Sequence, residues 1–221
     1  MDDETSDMIT SNTPIRGHYK YHPQPSSPTL ADQAIRAAGV RGLRVLDPFC
    51  GTGTIVCIAA ANGAKMAIGS DIEDYTFCSR SPVYMAATSQ GFGDPAIAVH
   101  YGVDAFDAIS LYDYDILITD PPNPRAIVGG APISIKEYTG MNGWELAKFW
   151  KNRFSDRNLI NKKEETVSRV RDLFVQASGR GKRIIANLFS SRGFDYSKAL
   201  CDEFTLRPVA GTYYEIDVVE E

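Results

Sequence analysis

The segment Val45-Leu46-Asp47-Pro48-Phe49-Cys50-Gly51-Thr52-Gly53-Thr54-Ile55 constrains this chain more than any other feature. A short apolar run ends on an acidic residue, passes two closely spaced glycines and continues into a stretch with helical composition. Glycines there let the backbone approach a ligand closely, and a helix start offers unpaired N–H groups. In an open α/β sheet the ligand sits outside the carboxyl ends of the strands. Asp71 closes the next apolar run, where an acidic side chain can take two ribose hydroxyls. The pattern is not G-x-G-x-x-G, which weakens a nicotinamide or flavin reading. The absence of Gly-Lys-Ser/Thr excludes a P-loop.

The flanking pattern alternates. A helix is predicted from Pro28 to Ala38, with Ser27 as N-cap, Leu30, Ala34 and Ile35 inward, and Gly39 as its stop. Strands are predicted over Leu43–Asp47, Lys65–Asp71, Ala96–His100, Tyr114–Thr119 and Arg183–Phe189. Helices are predicted over Thr54–Ala61, Ser81–Gln90, Lys162–Ser178 and Asp195–Phe204. In the third of these Val167, Val170, Phe174 and Val175 are expected inward. Thr205–Val209 and Thr212–Val219 can pair through Ala210-Gly211 as a terminal hairpin. Apolar strands separated by helices imply an α/β fold, with a parallel sheet covered on both faces. The irregular stretch Asn123–Met141 is the longest loop candidate, and such loops are often functional.

The length of 221 residues fits one domain with a sizeable core. Residues 1–14 read as a disordered acidic tail and 15–221 as a single domain. The tail has neither a basic n-region nor an apolar h-region, so a cytoplasmic location is expected. No apolar run approaches the ~20 residues of a membrane-spanning helix. The four cysteines form no Cys-x-x-Cys pair and the three histidines complete no cluster, so no metal is expected. A net charge of −5 argues against a duplex nucleic-acid binder, but the charge is uneven. Lys136–Arg183 carries twelve Lys/Arg and six Asp/Glu, a local +6 against −11 for the rest.

The block Asp-Pro-Phe-Cys-Gly-Thr-Gly resembles the cofactor motif of class I S-adenosylmethionine-dependent methyltransferases, in their amino-methylating DNA and RNA branch. The resemblance implies a Rossmann-like, mostly parallel seven-stranded sheet with an antiparallel C-terminal hairpin. It implies S-adenosyl-L-methionine as cofactor, contacted by Asp47, Phe49, Gly51, Thr52, Gly53, Asp71, Ile72, Asp104 and Ala105. Asp47 would face the methionine end, Asp71 the ribose and Asp104 the adenine amino group. The lead-in His22-Pro23-Gln24-Pro25-Ser26-Ser27-Pro28-Thr29-Leu30-Ala31 is similar to the segment preceding this motif in tRNA guanine-N2 methyltransferases. DNA N4-cytosine and N6-adenine methyltransferases carry a comparable stretch. Ser26, Ser27 and Thr29 are the residues it offers to the cofactor carboxylate, while His22 is better read as a packed loop histidine.

A second site follows the fourth strand, at Asp120-Pro121-Pro122-Asn123. Two prolines cannot continue a strand, and they force a rigid extended backbone. An exocyclic amine has a delocalised lone pair, so it attacks a methyl group only once pyramidalised. Acceptors on both its hydrogens, Asp120 Oδ and the Pro121 carbonyl, favour that geometry. The block resembles the Asp/Asn-Pro-Pro-aromatic motif of the same branch, with Asn123 in place of the usual ring. A stacking ring is worth about 1–3 kcal/mol per base. Arg125, Tyr138 and Trp144 are candidate substrate contacts. The basic, aromatic-rich stretch suits a single strand or a flipped base, or equally a helix with its lysines in water.

The function expected is methyl transfer to an exocyclic amine of RNA or of single-stranded or flipped DNA, with recognition supplied by the chain itself or by a protein partner. The alternatives are N-methylation of a small molecule or of a protein side chain, and a non-catalytic subunit of the same fold. Glutamine-methylating relatives use an Asn-Pro-Pro-Tyr version of the site.

Overall fold

The computed structural model describes residues 27–72, 97–122, 163–188, 190–191 and 194–219. The predicted helix Ser81–Gln90 and the loop Asn123–Met141 lie outside them. Helix α1 (Pro28–Ala38) leads into β1 (Arg44–Asp47), α2 (Thr54–Ala61), β2 (Met66–Asp71), β3 (Ile97–Tyr101), α3 (Ala105–Leu111) and β4 (Ile116–Thr119). The chain continues through α4 (Lys163–Gly179), β5 (Arg183–Asn187) and the short pair β6 (Ser190–Ser191) and β7 (Phe194–Asp195). It closes with α5 (Tyr196–Leu200), β8 (Phe204–Ala210) and β9 (Tyr213–Val218).

The main sheet has seven strands in the order β3-β2-β1-β4-β5-β9-β8. The five from β3 to β5 are parallel, and β9 runs antiparallel to both β5 and β8. The central strands β1, β4 and β5 are largely apolar because both of their faces are buried. Successive residues point to opposite sides of a strand. Thus Val45, Ile116, Ile118 and Ile185 join one core with α1 and α2. Leu46, Leu117, Ile184 and Ala186 join a second core with residues of α3, α4 and α5. Helix α2 is buried from Thr54 to Ala60, which explains why it is apolar all round. Helix α1 ends at Gly39, whose φ of 68° closes a left-handed cap on the Arg36 and Ile35 carbonyls.

Strand β2 carries a glycine for a packing reason. A Cβ on Gly69 would lie 2.8 Å from Val56 Cγ2 and 2.9 Å from both Cβ and Sγ of Cys50. Gly69→Ala is therefore expected to cost about 1–3 kcal/mol by overpacking. Chemical denaturation reads this as a lower midpoint, and an unshifted midpoint contradicts the close approach.

Several expectations are corrected. Val175 is 45% exposed, and Leu173 and Ala177 take the inward positions beside Val170 and Phe174. The helix predicted over Asp195–Phe204 is only Tyr196–Leu200, because Asp195 caps it and Phe204 opens β8. Ser27 occupies the N-cap position of α1 without a side-chain cap bond, and Pro28 supplies the first-turn geometry instead. Helix α3 was not expected. Its signal is Asp104, which accepts the Phe106 N–H as an N-cap. No helix among the described residues is long and apolar enough to cross a membrane.

Candidate active site at the carboxyl edge of the sheet

The turn after β1 is stitched to the ends of its neighbours. The Cys50 N–H donates to the Ser70 carbonyl at 2.9 Å, and the Gly53 N–H to the Cys50 carbonyl at 2.8 Å. The Gly51 N–H donates to Asp71 Oδ2 at 2.9 Å, and the Tyr101 hydroxyl to the Gly51 carbonyl at 3.2 Å. Both glycines are left-handed, with φ of 50° at Gly51 and 85° at Gly53. Among the described residues, nothing lies within 4 Å of a Cβ added on Gly53. Thr52 and Thr54 are buried, Phe49 packs on the second core, and Ile72 is half-buried just past β2.

Asp47 closes β1 and is 1% exposed. Its Oδ1 accepts the Thr119 hydroxyl at 2.7 Å and the Phe49 N–H at 3.2 Å. Burial nevertheless pushes its pKa up to about 8, against those two hydrogen bonds and with help from the negative charges of Asp120 and Asp71. Burial also raises the Cys50 thiol well above its ordinary range, and Asp71 and Asp47 add to this. Three carboxylates, Asp47, Asp71 and Asp120, thus close β1 and β2 and follow β4 along one edge of the sheet. Three acidic side chains gathered on one edge favour a ligand that carries positive charge.

Asp104, expected beside the adenine, is held by two elements of the fold. Arg169 of α4 grips both its oxygens, at 3.1 Å and 2.8 Å, and the same Oδ1 caps α3. The Arg169 guanidinium also lies over the Phe106 ring, 5.2 Å from its centroid. Any contact of Asp104 with an adenine must therefore share a carboxylate already held by two elements. Ala105 is buried beside it. Ser27 is half-buried and Thr29 exposed at the start of α1, which packs on α2. Ser26, Asn123, Arg125, Tyr138 and Trp144 lie outside the described residues.

Asp120 and the two prolines follow β4, which pairs directly with β1. Asn187, at the end of β5, donates from Nδ2 to Asp120 Oδ1 at 3.0 Å. Thr212 donates to Asn187 Oδ1 at 2.5 Å, and the Tyr196 hydroxyl donates to the Pro122 carbonyl at 2.6 Å. Tyr196 and Tyr213 are fully buried, and burial together with the Asp120 charge raises both phenols above their ordinary range. Thr119, Asn187, Tyr196 and Thr212 were missed in the sequence. A polar residue ending an otherwise apolar strand, as Asn187 ends Arg183–Asn187, is the signal that could have found one of them.

Such a site fits S-adenosylmethionine. The two left-handed glycines let a ligand approach the backbone closely, and the acidic edge suits a ligand carrying sulfonium and ammonium charges. The fold and this turn resemble those of the class I S-adenosylmethionine-dependent methyltransferases. Within that class, residues 4–78 match the N6/N4 methyltransferase family described as DNA methylase, so the match includes the turn and Asp71. The tRNA (guanine(10)-N2)-dimethyltransferase of Methanothermobacter thermautotrophicus is 32% identical over 111 residues, covering 46% of this chain and 29% of that protein. The enzyme of that name from Methanocaldococcus jannaschii is 33% identical over 108 residues, covering 46% of this chain and 30% of that protein. The matched portion is thus under a third of either relative's length. Among solved structures, magnesium protoporphyrin IX methyltransferase from Synechocystis PCC 6803 with bound SAM shows 17% identity and a TM-score of 0.45. That comparison covers 98% of this chain and 95% of the other.

Proposed function

We propose that this chain methylates an exocyclic amine of a nucleic-acid base, drawing the methyl group from S-adenosylmethionine. The observation that carries this reading is the fixed Asp120-Pro121-Pro122 segment beside the glycine turn, on adjacent strands. When bound, the cofactor supplies a sulfonium methyl whose carbon–sulfur bond breaks with both electrons staying on sulfur. Asp120 accepts one amine hydrogen and the Pro121 carbonyl the other, which pyramidalises the nitrogen and turns its lone pair to the methyl carbon. As the new bond forms the nitrogen becomes positive, and Asp120 stabilises that charge and then takes the surplus proton. Asp47, Gly51 and Gly53 bind the methionine end, and Asp71 the ribose.

Asp71→Asn tests the cofactor half of this reading. The amide oxygen can still accept the Gly51 N–H, but the charge that holds a ribose hydroxyl pair is gone. S-adenosylmethionine affinity measured by calorimetry is expected to fall about tenfold or more. An unchanged dissociation constant removes Asp71 from the cofactor site.

Asn123 favours a second reading, a small-molecule or protein acceptor, because the sequence motif carries Asn where the resembled family carries an aromatic residue. Binding of a labelled single-stranded RNA across a salt series separates the two. A nucleic-acid enzyme loses affinity steeply with salt, as phosphate contacts release counterions. Binding that is absent or indifferent to salt selects the second reading.

A further inference from the structure

The reversal of the last strand has a chemical consequence at this site. Parallel strands bring their carboxyl ends to the ligand edge, whereas antiparallel β9 brings its amino end there. Its first residue, Tyr213, pairs with Asn187, the last residue of β5. Thr212 stands just before it and is locked from two sides. Its carbonyl accepts the Leu188 N–H at 2.8 Å. The neighbouring Gly211 has a φ of 55°, and a Cβ there would come within 2.7 Å of Leu30 in α1. The hairpin tip is therefore seated against α1, and Thr212 has little freedom to move.

We propose that Thr212 and Asn187 form a hydrogen-bonded relay that orients the Asp120 carboxylate, with Tyr196 tethering the proline pair from α5, so that the C-terminal hairpin is part of the catalytic frame. The relay has a defined polarity. An ionised Asp120 only accepts, so the Asn187 amide must turn its Nδ2 towards it. That leaves Asn187 Oδ1 facing the hairpin, and the Thr212 hydroxyl donates to it at 2.5 Å. With Asn187 7% exposed, an amide lacking its Thr212 partner would keep an unsatisfied buried oxygen and lose its preference for one orientation. The flipped amide would set an oxygen against the carboxylate. On the other side, the 2.6 Å bond from Tyr196 holds the Pro122 carbonyl, and the edge-on packing of Phe194 at 4.7 Å holds the Tyr196 ring. Thr212, Asn187 and Tyr196 touch no reacting atom in this scheme. They are positioning residues.

The proposal rests on Asp120 being the amine acceptor, so its test includes a readout that needs no turnover. The Asp120 carboxyl carbon is followed by 13C NMR in the full chain, assigned through Asp120→Asn. Among the described residues, its titratable neighbours include Asp47 on β1, Tyr196 on α5 and Tyr213 on β9. The N–H of Asn187 favours the ionised carboxylate, so Asn187→Ala and Thr212→Val should each raise the Asp120 midpoint, by about half a pH unit or more. Thr212→Ser, which keeps the hydroxyl, should restore it. In turnover assays the same two variants should lower kcat about tenfold or more while leaving the S-adenosylmethionine dissociation constant within twofold, with rescue in Thr212→Ser. If the Asp120 midpoint stays at its wild-type value in both Asn187→Ala and Thr212→Val, the relay is refuted. If the midpoint moves but the wild-type chain methylates no nucleic acid, nucleoside or peptide amide, the relay stands and the functional reading fails.

Discussion

Asp120→Ala is expected to abolish methyl transfer while leaving S-adenosylmethionine binding nearly intact. In the proposed reaction the substitution removes an acceptor that strengthens its hold as positive charge develops on the amine, so its loss falls on the transition state. Removal of one such preorganised group costs about 10²–10³ in kcat, and loss of a proton acceptor adds to that. Asp120→Asn keeps an acceptor oxygen in place and can still receive the Asn187 N–H, so it should retain part of the rate. The ordering wild type, Asn, Ala in single-turnover transfer of a labelled methyl group therefore carries information that a simple loss does not. The two prolines keep the backbone extended in all three chains. Equal rates in Asp120→Ala and the wild type would take Asp120 out of the chemistry. A parallel loss of cofactor affinity would move it to the binding site.

Asp47→Asn is expected to stabilise the free protein and weaken its hold on S-adenosylmethionine. The unfolded chain releases the Asp47 proton near 3.8, whereas the folded chain keeps it to about 8. Between those values the unfolded state binds fewer protons, so the contribution of Asp47 to stability is fully present below 3.8. It falls as pH rises and is lost by about 8. At pH 7 the lost stability is on the order of a few kcal/mol. Asparagine cannot ionise and preserves the oxygen that accepts from Thr119 and Phe49. The thermal midpoint of Asp47→Asn should therefore vary less between pH 5 and pH 8 than that of the wild type, and stand above it at pH 8. A bound cation favours the ionised carboxylate and expels the proton. Wild-type affinity for S-adenosylmethionine should thus rise with pH up to about 8, with proton release visible by calorimetry in two buffers of different ionisation enthalpy. The variant should show neither effect and bind about tenfold or more weakly. A wild-type affinity that is flat over this range rules out a protonated Asp47 at the cofactor site.

Much of the sheet was legible because its signals are local. Thr54–Ala61 forms the helix that its composition and following glycine announce, and Ile116–Thr119 the strand that its continuous apolar run announces. Failures came where one residue type has two uses. Val175 fits the apolar stripe of α4, but the helix turns Leu173 and Ala177 inward and leaves Val175 in solvent. Phe204 continues the apolar spacing of α5, yet it pairs with Val218 as the first residue of β8. Asp104 was legible as an acidic residue near the site. Its partner Arg169, 65 positions away, was not.

The sequence by itself determined the doubly covered α/β architecture, the glycine turn after β1 and the Asp-Pro-Pro segment after β4. These depend on residue period, backbone freedom at glycine and the missing N–H of proline, all of which act within a few residues. Only the tertiary structure decided how the site is held and charged. Asn187 reaches Asp120 across 67 positions and Tyr196 reaches Pro122 across 74, because the sheet order and the reversed last strand bring their elements to one edge. The upward shift of the Asp47 pKa arises there too, since burial depends on what packs around a carboxyl group, and no local pattern records that.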